Sequence, residues 1–235
     1  MVSIIDASIT PRHSEACLLA HFSLLVHPEE HLLISGPNGS GKTSLLHAIF
    51  RSSIDNRHDL IWNPNLLGQD NCHIMHVSQA PLLAPGKYLW QQIAYPKSSR
   101  PQQSDLVEAI MRVGLLELVQ SLPNGFDEVR QWKNYLSFGQ QQRLVLARIF
   151  LHKPRLVLLD EAFSGIEESH AIELLRQIQC ITSASNSAKT TCITVAQDTV
   201  AMRGNHRLHL QIREKELANG LVHTIPKHTW TLNRL

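Results

Sequence analysis

The chain has 235 residues with a formal net charge of +2, and 43% of its side chains are hydrophobic. That length permits one large α/β domain or two small ones, and so small a charge makes no electrostatic case for a nucleic-acid or membrane-surface partner. Cys17, Cys72, Cys180 and Cys192 stand far apart with no Cys-x-x-Cys pair, which suits reduced thiols in a cytoplasmic protein better than a disulfide frame.

The longest apolar stretch, residues 16–26 (ACLLAHFSLLV), is interrupted by His21 and is too short to cross a bilayer. With no signal peptide visible, any membrane role must be borrowed from a partner. Residues 31–35 (HLLIS) form an apolar run of buried-strand length. The next segment, GPNGSGKTS, runs Gly36, Pro37, Asn38, Gly39, Ser40, Gly41, Lys42, Thr43, Ser44. It is poor helix and poor strand material, but it matches Gly-x-x-x-x-Gly-Lys-Thr, a loop whose glycines let backbone N–H groups face phosphate oxygens. Lys42 then reaches the β- and γ-phosphates and the Thr43 hydroxyl a Mg²⁺ ion. Leu45, Leu46 and Ile49 in residues 44–50 repeat at helical spacing, so the following helix points its positive end at the phosphates.

His73-x-x-His76 has only two possible metal ligands in a strand-like region, and reads as surface or core histidines. Residues 105–119 read as one helix with Ser104 as N-cap and Leu106, Ile110 and Val113 on one face. In residues 135–154, Ser137 and Gln140 form a Ser-x-x-Gln capping box, and Leu144, Ala147 and Leu151 give the helix an apolar face. Gly139 inside that first turn costs about 1 kcal/mol against alanine. It makes sense where the backbone approaches something closely, and a second phosphate suits the capped helix start. Residues 155–165 (RLVLLDEAFSG) form a buried parallel strand that ends in two acids. Asp160 alone would pass as a helix cap. The pair instead suits Mg²⁺ held by Asp160 and a water polarised by Glu161. Residues 182–189 (TSASNSAK) read as a loop, and residues 190–198 (TTCITVAQD) as a β-branched strand ending at Gln197.

Leu136-Ser137-Phe138-Gly139-Gln140 resembles the ABC signature motif, usually Leu-Ser-Gly-Gly-Gln. With the phosphate loop upstream and the VLLDE strand downstream, residues 3–212 are similar to an ABC transporter ATP-binding domain. The resemblance implies an α/β P-loop NTPase fold in one domain over residues 1–235. Its sheet is mostly parallel, with an N-terminal antiparallel β part and a helical subdomain inserted over about residues 80–150. It also implies ATP and Mg²⁺ as cofactors, with Thr43, Gln79 and Asp160 at the metal. Gln79 matches the family's Q-loop glutamine, which senses Mg²⁺ and γ-phosphate and relays to the transmembrane partner. Residues 164–167, Ser-Gly-Ile-Glu, fall on the D-loop, normally Ser-Ala-Leu-Asp.

In this family two domains close head to tail, so the signature residues act in trans on the partner's ATP. The implied partners are a transmembrane subunit and a second ATP-binding domain, with no nucleic acid. The implied location is peripheral, on the cytoplasmic face of the inner membrane. The segments around residues 9–26 and 79–96, and Trp132 ahead of the signature, look like the D subfamily of acyl-CoA, peptide and cobalamin transporters. There the ATPase is normally fused behind six membrane helices, so the chain reads as a separate subunit or as a fragment.

Three departures from the family pattern matter. Thr10-Pro11 stands where an adenine-stacking aromatic is common, Glu29 replaces a turn glycine, and Gln197 replaces a histidine that contacts the γ-phosphate. Glutamine donates an amide hydrogen bond but does not titrate. Two readings therefore stay open: an ATPase that drives transport, with Glu161, Gln197 and Gln79 as its catalytic set, or an ATP-binding regulatory subunit that hydrolyses slowly or not at all. A small P-loop kinase has no use for the signature helix.

Overall fold

The computed structural model describes residues 2–9, 19–55, 74–182, 189–197, 199–214 and 228–235. Thr10, Pro11, Cys17, Cys72, His73 and Asp198, and all but the ends of the 182–189 loop, lie outside the described residues.

Strands β1 (Val2–Ile9) and β2 (Leu19–Val26) pair antiparallel in a two-stranded sheet of their own. The main sheet runs β4 (Ile74–Val77), β5 (Leu156–Asp160), β6 (Thr191–Val195), β3 (Leu32–Ser35), β7 (Leu208–Glu214) and β8 (His228–Arg234). Its first five strands are parallel, and β8 closes the far edge antiparallel to β7. Every residue of β3, β5 and β6 is buried, as strands covered on both faces must be. This is the mostly parallel α/β fold with an antiparallel β part that the resemblance implies.

Side chains alternate between two cores. Leu32, Ile34, Leu158, Ile193 and Val195 pack with Leu45, Leu46 and Ile49 of α1 (Lys42–Asp55) and with Phe22, Leu24 and Val26. Leu33, Val157, Leu159 and Cys192 face the other way, into the core shared with the helices that follow β4. Those helices are α2 (Leu89–Ala94), α3 (Gln103–Arg112), α4 (Leu116–Ser121), α5 (Trp132–Tyr135) and α6 (Phe138–His152). After β5 come α7 (Glu168–Gln179) and, beyond β6, α8 (Val200–Arg203). None of the described helices is long and apolar enough to cross a membrane.

Two sequence expectations need correction here. The helix read over residues 105–119 is two helices, because Gly114 takes φ 65° between α3 and α4 and turns the chain there. Ser104 is not its cap: α3 starts at Gln103, and Gln102 is the N-cap without a side-chain bond. The capping box at α6 forms, with the Ser137 N–H donating to Gln140 Oε1 and the Gln140 N–H to Ser137 Oγ. Trp132 is buried and donates its Nε1–H to the Lys87 carbonyl at 2.8 Å, holding α5 against the loop before α2.

Arg148, in the middle of α6, is buried with no carboxylate partner among the described residues. Its guanidinium donates to the carbonyls of Gln92 and Leu82, both at 2.7 Å, and lies over the Tyr95 ring. Gln92 in turn bonds both the N–H and the carbonyl of Ala84. One buried cation thus fastens α2 and the segment that follows the 79–80 turn onto α6. Burial pulls the Arg148 guanidinium down to about 10, which still leaves it charged at neutral pH.

His206 is buried between α8 and β6, with Nδ1 at 2.7 Å from the Met202 carbonyl oxygen and Nε2 at 3.1 Å from Thr194 Oγ1. Burial lowers its pKa to about 4 from the ordinary 6.5, against a raising contribution from the Met202 carbonyl. Above pH 6.5 the ring is neutral whether the chain is folded or not. Below that, the unfolded chain takes up a proton that the folded chain resists, so stability falls between pH 6.5 and 4. The loss attributable to His206 at pH 4 is on the order of 3 kcal/mol. Urea unfolding across this range should show a smaller pH dependence for His206→Asn than for the wild type, and identical slopes would refute the assignment.

Candidate active site

β3 delivers the chain to Gly36, where a Cβ would lie 2.6 Å from the Ile212 carbonyl oxygen of β7, so no side chain fits between loop and sheet. Gly39 and Gly41 hold φ 78° and 91°, and the loop then enters α1 at Lys42. The Lys42 ammonium folds back over this loop and donates to the Gly36 and Pro37 carbonyls, each at 2.9 Å. Asn38 is exposed and Ser44 half-buried. Ser40 is fully buried, and its hydroxyl has no hydrogen-bonding partner among the described residues. An orphaned hydroxyl and a cation inside one glycine loop at a helix start are a donor set that fits an anionic polyphosphate.

Thr43 donates its hydroxyl to Asp160 Oδ1 at 3.1 Å, so the start of α1 touches the end of β5. Asp160 is 3% exposed. Burial pushes its carboxyl above the usual range, opposed by the Thr43 hydroxyl, His47 and Lys42. A buried carboxylate of this kind gains from a nearby cation. With a threonine oxygen beside it, the donor set fits Mg²⁺, which takes one or two carboxylates together with substrate phosphates. Among the described residues no three His, Cys, Asp or Glu side chains converge to hold a metal by themselves.

Glu161 follows at φ 47°, a left-handed backbone that costs a non-glycine residue about 1–3 kcal/mol. Its N–H donates to the Val195 carbonyl at 3.0 Å, and its carboxylate accepts the Gln79 amide at 2.7 Å. The turn swings Glu161 out of the strand direction toward a cleft of about 440 Å³, lined by Gly36, Lys42, Glu161, Ser164 and Gln197 among others. Gln79, Asp160 with Glu161, and Gln197 thus emerge beyond the carboxyl ends of three neighbouring strands, β4, β5 and β6, where an open α/β sheet binds its ligands. Gln197 is exposed and lies two residues past the end of β6.

No signature residue lines that cleft. Leu136 is buried, Ser137 caps α6, and Phe138 is half-exposed with its ring against Gly165. The close approach anticipated at Gly139 is to the chain's own backbone: a Cβ there would lie 2.3 Å from the Gly165 carbonyl oxygen. Gln142 was not singled out from the sequence. Its only signal was its place in the run Gln140-Gln141-Gln142, one turn after the glycine. It is 1% exposed and bonds the loop that follows Glu161.

A family profile described as ABC transporter matches residues 19–164. An uncharacterised ABC transporter ATP-binding protein of Synechocystis is 33% identical over 213 residues, which cover 90% of this chain and 30% of that protein. The chloroplastic ABC transporter D family member 2 of Arabidopsis thaliana is 30% identical over 69% of this chain and 28% of its own length. The chain therefore spans less than a third of these relatives. Among solved structures, a bacterial Atm1-family ABC exporter with ATP bound superposes with a TM-score of 0.71 at 20% identity. That match covers 89% of this chain and 36% of the exporter chain, and it concerns the fold.

Replacing Lys42 removes a cation from a site built for charge-assisted hydrogen bonds, which are individually worth about 1.5–3 kcal/mol. Lys42→Ala should weaken ATP binding roughly 10- to 100-fold. Titration with a fluorescent ATP analogue measures this, and equal affinity would overturn the phosphate-loop assignment.

Proposed function

The chain belongs to the ABC transporter family, and from that membership we propose that it is the ATP-binding and ATP-hydrolysing part of a membrane transporter. The observation that carries hydrolysis is the Glu161 carboxylate, held by Gln79 at the mouth of the cleft that Lys42 also lines. In this reading the backbone N–H groups of residues 38–44 and the Lys42 ammonium bind the phosphates. Thr43, Asp160 and Gln79 hold Mg²⁺, which supplies charge neutralisation at the β- and γ-phosphates when bound. Glu161 accepts a proton from the water that attacks the γ-phosphate.

Within one chain the signature residues 136–140 do not line the cleft, so we assign them to a second chain's nucleotide. The pair closes head to tail, with ATP between one phosphate loop and the partner's α6. A transmembrane subunit or segment completes the transporter, and the domain lies against its cytoplasmic face. The similarity to D family members supports that branch as the source of the membrane partner.

The regulatory alternative rested on Gln197. Its place in the cleft beside Glu161 and Lys42 supports a role in the rate of hydrolysis, with Glu161 still available as base.

Two experiments test this. Glu161→Gln removes the base but leaves the phosphate-binding groups in place, so it should form an ATP-dependent dimer that outlives the wild-type one in size-exclusion chromatography. A mutant that stays monomeric in the complete protein at every concentration would remove the support for head-to-tail closure. Separately, Gln197→His should raise kcat with little change in KM, because a donor to the developing phosphate charge acts mainly in the transition state. Losing such a donor outright costs about 10²- to 10³-fold, and glutamine retains part of that. Steady-state ATPase rates, with Glu161→Gln as background, decide the point, and a fast wild-type rate untouched by the histidine would make Gln197 a neutral replacement.

A further inference from the structure

Among the polar contacts that α6 makes near its N-terminus, those of Gln142 converge on one short loop, residues 161–165. Gln142 spends its whole amide there. Its Nε2 donates to Ser164 Oγ at 3.0 Å and, at 3.4 Å, to the Glu161 carbonyl, while its Oε1 accepts the Gly165 N–H at 2.7 Å. The side chain is 1% exposed and lies one turn along α6 from the Gly139–Gly165 contact.

Packing alone does not call for an amide here. The neighbouring positions Leu144, Val145, Leu146 and Ala147 are all buried apolar residues, and a hydrocarbon of glutamine's volume would fill the same space. What a hydrocarbon cannot do is accept the Gly165 N–H and donate to Ser164 Oγ, the bonds that hold the loop in place.

Steric contact makes the link stiff. Neither Gly139 nor Gly165 has room for a Cβ: the first would strike the Gly165 carbonyl oxygen and the second the Phe138 ring at 2.5 Å. Glu161 is meanwhile fixed at its N–H by the Val195 carbonyl, and its carbonyl accepts the Ser164 N–H at 3.2 Å as well as the Gln142 amide. A displacement of the start of α6 relative to β5 therefore has to be absorbed by the loop that Glu161 begins, whose left-handed backbone already stores strain.

We propose that Gln142 is a positioning residue that ties the start of α6 to the Glu161 loop, so that α6 engaging a second chain's nucleotide sets the orientation of this chain's own base. The link rests on the two-chain reading given above. It adds to that reading a coupling within each chain, from the surface that meets the partner to the catalytic carboxylate. It acts on the geometry of Glu161, so it changes turnover and the cooperativity between two sites while leaving the phosphate loop alone. Small misplacements of a reacting group are costly, with about 1 Å worth up to 10²-fold in rate.

The test uses the complete protein and three variants. Gln142→Met keeps the volume and removes every bond. Gln142→Glu keeps an acceptor for the Gly165 N–H and the Ser164 hydroxyl. Ser164→Ala removes one exposed partner and leaves the core untouched. Wild type should show an ATP-dependent dimer and a Hill coefficient for ATP above one. Gln142→Met should keep ATP affinity and the dimer, lose about tenfold or more in kcat at similar KM, and have a Hill coefficient near one. Gln142→Glu should recover most of both, and Ser164→Ala should show a smaller loss of the same two quantities, which carries the test should Gln142→Met fail to fold. A dimeric wild type whose cooperativity and kcat survive in Gln142→Met, or in Ser164→Ala if that variant must stand in, overturns the coupling and leaves the two-chain reading intact. A wild type with neither dimer nor cooperativity overturns both.

Discussion

Covering both faces of β3, β5 and β6 is the constraint from which the rest of the molecule follows. A strand with apolar neighbours above and below cannot carry a charge along its length, because an unpaired buried charge costs several kcal/mol. The one charged residue of these strands, Asp160, stands at a carboxyl end, with Ser35 closing β3 and Glu161 and Gln197 just beyond β5 and β6. The phosphate loop leaves β3 at that same edge, and the Thr43–Asp160 bond joins the two exits. Site and core are thus two consequences of one burial pattern.

α6 carries the polar groups that the strands cannot. It is buried along most of its length, yet Gln141, Gln142 and Arg148 lie on it. Gln141 donates to the Lys133 and Leu136 carbonyls and Arg148 to the 82 and 92 carbonyls, while Gln142 holds the Glu161 loop through the Gly165 N–H and the Ser164 hydroxyl. A side chain that bonds main chain in a distant loop fixes that loop without depending on the loop's own sequence. This is how a single helix comes to position the signature turn, the loop after Glu161 and the segment after Gln79 at once.

Glu29, and the Phe138 and Gly165 that differ from the usual signature and D-loop residues, find physical compensation. Glu29 takes the left-handed φ of 64° that glycine would adopt easily, and the strain is offset by bonds from its N–H to Thr191 Oγ1 and from the Lys189 N–H to its carboxylate. Phe138 and Gly165 fit as a pair. The ring occupies the space into which a D-loop alanine would project its methyl, so the aromatic in the signature and the glycine in the D-loop are each what the other allows.

The sequence alone determined whatever is local or periodic: the continuous apolar runs of the central strands, the glycine loop with its lysine and threonine, the capping box of α6, and the two acids closing β5. These depend on residues a few positions apart, whose backbone preferences and spacing can be read directly. It misjudged the 105–119 segment because Gly114 passes for a tolerated helix glycine until its φ is known. Gln142 and Arg148 were invisible for a different reason: a polar residue in a helical pattern looks like a solvated face until packing buries it. Apart from the Ser164 hydroxyl, the hydrogen-bonding partners named above are carbonyls and N–H groups up to 66 positions away, and backbone groups carry no sequence signal. The Gln79–Glu161 bond and the Gly139–Gly165 contact likewise exist only once β4, β5 and α6 are brought together, since tertiary packing alone sets distances between segments that share no local turn.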